Sequence, residues 1–246
     1  MIDICHKMSS SSNYGELIRR LANIRNGYED ARRDIMDHFP QYDIDRDVRV
    51  NIFSKCINAL DGLYLGMIFY NNHLTEPDWW TETASSLNLR IPPNDDKLAL
   101  VDNFAIFLKI PFIQTFVSSA VESSIRSMTL NINSVKYRKA EHSFKKVCHL
   151  LLSEASLSSS SNQYEALLDL LRCIRNANHD NGVYYGRNED IEYKGVHYSF
   201  TNEKRIAAMT WDLLLDFSSD LRDLIKDLVN SDKLSSAEKI EDLSVL

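Results

Sequence analysis

Leu170-Leu171-Arg172-Cys173-Ile174-Arg175-Asn176-Ala177-Asn178-His179-Asp180-Asn181-Gly182 reads as the end of an amphipathic helix running into a turn. Tyr164, Leu167, Leu168, Leu171 and Ile174 recur at three- and four-residue steps and supply a buried side. The pattern predicts a helix that starts near Asn162 or Gln163 and ends at the Asn181-Gly182 turn. Arg172, Arg175 and His179 stand at i, i+3 and i+7, so one helical face beside the packed stripe carries all three.

The same periodicity organises the chain on both sides of this helix. Upstream, Leu17, Leu21, Ile24, Tyr28, Ala31, Ile35 and Phe39 mark a first helix over 14–39, stopped by Pro40. Val48, Ile52, Cys56, Ala59, Leu63, Met67 and Tyr70 mark a second over about 46–73, and Pro92-Pro93 breaks the pattern before the next. From Lys97 to about Thr129 the sequence is apolar and helical, with a break expected near Lys109 to Pro111. A basic helix over about 136–152 follows, then a serine-rich connection over 153–161.

Downstream, Ile191-Glu192-Tyr193 and Val196-His197-Tyr198-Ser199-Phe200 alternate around Lys194-Gly195, which predicts a short hairpin between Glu189 and Phe200. A last helix is expected from about Glu203 to Val229, with Ile206, Met209, Leu213, Leu214, Phe217, Leu221, Leu224 and Leu228 on its buried face. The expected fold is all-α: an up-and-down helical bundle with a short β-hairpin inserted before the last long helix. It forms one domain over 1–230, with an N-terminal helical extension to about residue 95 and a bundle over 96–230 that bears the Arg/His motif. A polar tail occupies 231–246.

Composition narrows the function classes. The net charge of -7 argues against a protein that coats nucleic acid through bulk electrostatics, so phosphate binding has to be local. The clearest local excess is Lys136, Arg138, Lys139, Lys145 and Lys146 against Glu141, a basic face that a solvated helix would also show. Cys5, Cys56, Cys148 and Cys173 form no CxxC pair, so neither a zinc site nor a disulfide framework is expected. With no apolar signal core at the N-terminus and no apolar run of about 18 residues, a cytoplasmic protein without a membrane span is expected. Phosphate-binding glycine loops, HExxH and GxSxG are absent, and no metal or cofactor is called for.

The helices and the stretch Leu171 to Tyr184, followed by the hairpin and a long final helix, resemble the HEPN superfamily of all-α nucleotide-binding bundles, many of them ribonucleases. Its signature is an arginine, often followed by a polar residue such as asparagine, then a histidine after four to six intervening positions. Arg175-Asn176 resembles the local pattern but lies three residues from His179, while Arg172 has six intervening residues but is followed by Cys173. The resemblance implies metal-independent cleavage of single-stranded RNA. His179 would act as general acid or base, Arg175 or Arg172 would neutralise charge on the phosphorane, and Asn176 would orient the imidazole or bind a phosphate oxygen. It also implies a homodimer in which two motifs face each other. A toxin-antitoxin or defence setting, with an antitoxin or regulatory protein as partner, follows from the same likeness.

Lys136, Arg138, Lys139 and Tyr184 are the expected substrate contacts, and Tyr184 and Tyr185 are the aromatics placed to stack on a base. Glu122 and Arg126, at i, i+4, are placed either to support the site from a neighbouring helix or to form a surface ion pair. Two competing readings need no catalysis. In one, the arginines cap helix carbonyls and His179 merely finishes the helix. In the other, a catalytically inactive HEPN-like module binds RNA or a nucleotide, or dimerises.

Overall fold

The computed structural model describes residues 12–86, 94–157, 161–206 and 210–243, and it is an all-α bundle carrying a small β-hairpin before the last long helix. Helices α1 (Ser12–His38) and α2 (Val48–Phe69) pack against each other, and α2 runs on into a π-helical turn over Tyr70–Leu74. Leu17, Leu21, Tyr28, Ala31 and Ile35 form the buried stripe of α1 that the periodicity predicts. The helix stops one residue short of Phe39-Pro40, because a proline disfavours helical backbone in the residue before it. Short α3 (Pro77–Ser86) precedes α4 (Asn94–Ile113), and the Pro92-Pro93 breaker lies outside the described residues.

Pro111 does not break the helix at Lys109 to Pro111 as its sequence predicts. Helix α4 continues through Pro111 to Ile113, and the irregularity is carried by a π-helical segment over Gln114–Glu122 that leads into α5 (Ser123–Ile132). Proline removes a backbone donor and crowds the preceding turn, and the widened π turns that follow absorb the mismatch while the chain stays helical. Thr115 Oγ1 donates to the Pro111 carbonyl at 2.7 Å, satisfying one of the displaced acceptors. The helical runs Val48–Leu74 and Asn103–Ile132, 27 and 30 residues long, are apolar enough to meet the length and composition of a membrane span, and 39% and 47% of their apolar windows lie buried inside the bundle.

The basic stretch forms two helices rather than one: α6 (Ser134–Ala140) and α7 (Phe144–Glu154). Ser143 caps α7 by accepting from the Lys146 amide at 3.5 Å, and Arg126 donates to the Glu141 carbonyl at 2.7 Å, so one amide and one carbonyl freed by the break find partners. Helix α8 (Ser161–His179) carries the motif and packs on α7, on the π-helical segment and on α9 (Trp211–Asn230).

Between α8 and α9 the chain forms two nested antiparallel ladders. Strand β1 (Val183–Tyr184) pairs with β4 (Lys204–Arg205), and β2 (Glu189–Tyr193) pairs with β3 (Val196–Phe200). Lys194 and Gly195 close the inner hairpin with positive φ at both positions, the backbone that suits a two-residue hairpin turn. The last helix begins at Trp211 instead of near Glu203, because Lys204 and Arg205 are spent on the ladder and Thr210 supplies the cap, accepting from the Leu213 amide at 3.2 Å. Met209 falls outside the described residues.

The polar tail docks on the bundle through a buried charge cluster. Short α10 (Asp232–Ser235) is followed by a strap in which Ile240 accepts from the Val48 amide at 2.9 Å. Arg49 and Asp47, both fully buried, pair at 2.6 Å, and the Arg49 Nη1 donates to the carbonyls of Leu234 and Ala237 at 2.6 and 2.7 Å. The Arg49 guanidinium also lies 3.5 Å from the centre of the Tyr42 ring.

Candidate functional site

Burial of Leu167, Leu168, Leu170, Leu171, Cys173, Ile174 and Ala177 fixes the rotation of α8 and leaves Arg172, Arg175 and His179 along one edge. The helix ends where the amides of Asp180 and Gly182 both donate to the Ala177 carbonyl, at 3.1 and 2.7 Å. Asn181 and Gly182 take φ of +56° and +84°, the left-handed backbone that this helix stop demands and that asparagine and glycine tolerate best.

Arg172 is held by two carboxylates. Its Nη2 donates to Glu189 on β2, and its Nε donates to Asp169 one turn back at 3.3 Å. Lys145 of α7 joins them, 2.8 Å from Asp169 and 3.8 Å from Glu189. Tyr184 donates to the other oxygen of Glu189 at 2.8 Å, and the Cys173 thiol lies 3.8 Å from the Tyr184 hydroxyl. Burial works against the charge on Glu189, but the hydrogen bonds from Arg172 and Tyr184 outweigh it and hold the carboxyl below its ordinary range. Burial pushes the Cys173 thiol up to about 11, so it stays protonated at neutral pH.

Arg175 has a different surrounding. Its Nη2 lies 2.8 Å from Glu122, the last residue of the π-helical segment, and its Nη1 donates to the Asn176 side chain at 3.0 Å. Glu122 is shared, because its other oxygen accepts from Arg126 Nε and Nη2 at 3.0 and 2.8 Å. Two guanidiniums thus face one carboxylate across the contact between α8 and the π-helical segment. Among the described residues, Arg175 Nε is buried without a hydrogen-bond partner, and Glu122 Oε2, also buried, has only the Arg175 ion pair.

His179 is exposed at the helix end, one turn beyond Arg175, with no ion pair among the described residues. The structure therefore keeps Arg172, Arg175, Asn176 and His179 on one edge of α8 and sorts them by their partners. Of the expected substrate contacts, Arg138 and Lys139 are exposed on α6, whereas Lys136 is bound to Glu154 at 2.7 Å. Tyr184 is 1% exposed, with its ring 5.5 Å from that of Phe200, and presents no open face to a base. A groove of about 440 Å³ between α2 and α4, lined by Ala59, Gly62, Leu108, Pro111 and Phe112 among others, contains none of the motif residues.

Sequence reasoning missed Asp169 and Glu189 as the partners of Arg172. The i, i+3 spacing of Asp169 and Arg172 could have flagged the first. Glu189 is brought in by the hairpin from 17 residues away, and no local pattern announces it. The pairing of Glu122 with Arg126 was visible as an i, i+4 spacing, but its sharing with Arg175 depends on the phase change through the π turns. Among the described residues, no group of three His, Cys, Asp or Glu side chains comes together as metal ligands. Set against protein-family models, curated proteins and solved structures, the chain matches none.

Proposed function

We propose that the end of α8 is an RNA-directed site and that the protein is a HEPN-like, metal-independent endoribonuclease acting on single-stranded RNA. The observation that carries this reading is an exposed histidine standing one helical turn beyond an arginine whose carboxylate partner is already shared by a second arginine. Arg175 keeps a surplus of positive charge because Arg126 competes for Glu122. Arg172, clamped between Asp169 and Glu189, positions the hairpin against α8.

In the reaction proposed, the ribose 2'-oxygen attacks the adjacent phosphorus as His179 accepts its proton. The bond from phosphorus to the 5'-oxygen breaks, and an imidazolium returns a proton to that leaving oxygen. A cyclic phosphate and a 5'-hydroxyl result. Arg175 offsets charge on the phosphorane and Asn176 orients Arg175 through its side-chain oxygen. A homodimer that sets two such edges face to face, a cytoplasmic setting, and an antitoxin or other regulatory partner belong to the same proposal. They rest on the HEPN resemblance.

A second reading, a catalytically inactive RNA- or nucleotide-binding or dimerisation module, draws on the ion pairs that already occupy both motif guanidiniums. Incubating a fluorescent single-stranded RNA pool with purified protein in EDTA separates the two. The ribonuclease reading predicts cleavage that leaves cyclic phosphate ends and falls about 10²- to 10⁴-fold in His179→Ala. RNA binding without cleavage would move the assignment to the inactive module, and cleavage equal in wild type and His179→Ala would exclude this histidine.

A further inference from the structure

Two adjacent tyrosines leave the motif helix, and the backbone sends them to opposite sides. Tyr184 is buried against Phe200 and Glu189, while Tyr185 is 60% exposed. The reason is local. Successive strand residues face opposite ways, and Gly186 makes room for the Tyr184 ring, since a Cβ at that position would sit 2.6 Å from it. Burying one tyrosine therefore obliges the next to face out.

The outer side of the ladder also carries a cation without an ion pair among the described residues. Val183 pairs with Arg205, so Arg205 shares the face of Val183 and Tyr185. Arg187 and Arg205 are exposed, and none of the ion pairs found among the described residues uses them, while Lys204, the register partner of Tyr184, takes the other face of the ladder. Ile206 donates to the Gly182 carbonyl at 3.0 Å, which ties this edge to the turn that ends α8. Gly182 is three residues past His179, within about 11 Å along the chain. Asp180 and Glu203 nearby in the chain are exposed acids, so bulk charge alone is a weak attractant.

We infer that Tyr185 is a base-stacking platform for single-stranded RNA, with Arg205 beside it engaging the phosphate backbone, so that the outer face of the β1–β4 ladder holds the strand whose phosphate reaches His179. The inference rests on the RNA-directed reading of the α8 edge. It assigns recognition to groups free to bind, in contrast to Arg172 and Arg175, which are already paired. An aromatic face accepts any base, so the platform confers affinity for unpaired RNA with little sequence preference.

Fluorescence anisotropy of a labelled single-stranded RNA tests this, with full-length His179→Ala as the parent so that the RNA stays intact. Tyr185→Ala should weaken binding about tenfold, within the range that stacking of one base supplies, and Tyr185→Phe should retain it. Arg205→Ala should weaken binding and reduce the slope of log affinity against log salt by about 0.7. Parent-like affinity in both Tyr185→Ala and Arg205→Ala would overturn the platform and leave the RNA-directed reading standing. A parent that binds no RNA would overturn both. A change in oligomeric state by Tyr185→Ala, with RNA affinity unaltered, would reassign the tyrosine to a protein interface.

Discussion

To meet an RNA phosphate, Arg172 would have to release two partly buried carboxylates, Glu189 and Asp169, to Lys145 alone, whereas Arg175 gives up a single glutamate that Arg126 continues to hold through two hydrogen bonds. Two arginines three positions apart thus differ in what binding costs, a difference that composition and spacing do not contain. The same physics governs Arg49, whose charge is fully buried and is spent on Asp47 and on carbonyls of the C-terminal strap. Arg49→Ala would strand a buried Asp47 and free two carbonyls, and it should destabilise the protein by about 3–5 kcal/mol in urea unfolding. Adding Asp47→Asn should recover part of that loss, and equal stability of Arg49→Ala and wild type would show that the strap does not depend on the pair.

Elements are joined by a few charged links as well as by the core. Glu154 at the end of α7 accepts from Lys136 of α6 at 2.7 Å and is also paired with Lys233 of α10, and these hydrogen bonds pull its carboxyl down from 4.5 to about 2. A carboxyl whose folded value lies below its unfolded one stabilises the fold above the unfolded value and loses that contribution as pH falls through the folded one. The melting temperature of wild type should therefore exceed that of Glu154→Gln at pH 6, and the gap should close between about pH 4.5 and 2. A gap that persists at pH 2 would mean that the glutamate acts by shape instead of charge. The π-helical segment shows a second kind of linkage, in which an irregularity following Pro111 sets the side-chain phase that brings Glu122, paired locally with Arg126, to Arg175 as well.

Across the whole molecule, what was legible in the sequence was what repeats locally. The 3.6-residue stripes of α1, α2, α8 and α9 and the alternation around Lys194-Gly195 yield an all-α bundle with one hairpin, because burial of those stripes is also what stabilises it. The motif face was legible for the same reason. Its electrostatics were not, since Glu189 and Glu122 reach the arginines through tertiary packing across 17 and 53 residues of chain. Nor was the sorting of Tyr184 from Tyr185, which depends on a ladder formed with Lys204 and Arg205 that shows no alternation of its own. The late start of α9 at Trp211 and the split between α6 and α7 were hidden likewise, in a strand pair and a serine cap.

In the proposed ribonuclease Arg175 meets the phosphate while Arg172 holds the hairpin against α8. The measurement that tests this division of roles most directly is the rate of single-stranded RNA cleavage in excess EDTA, per folded molecule, for wild type, Arg172→Gln and Arg175→Gln, each paired with a thermal melt. Arg175→Gln should lose about 10²- to 10³-fold in rate while its melting temperature barely moves. Arg172→Gln should melt earlier, yet its folded fraction should still cleave. Wild-type cleavage by Arg175→Gln, or a wild type that cleaves no RNA in the pool, would contradict this division of roles.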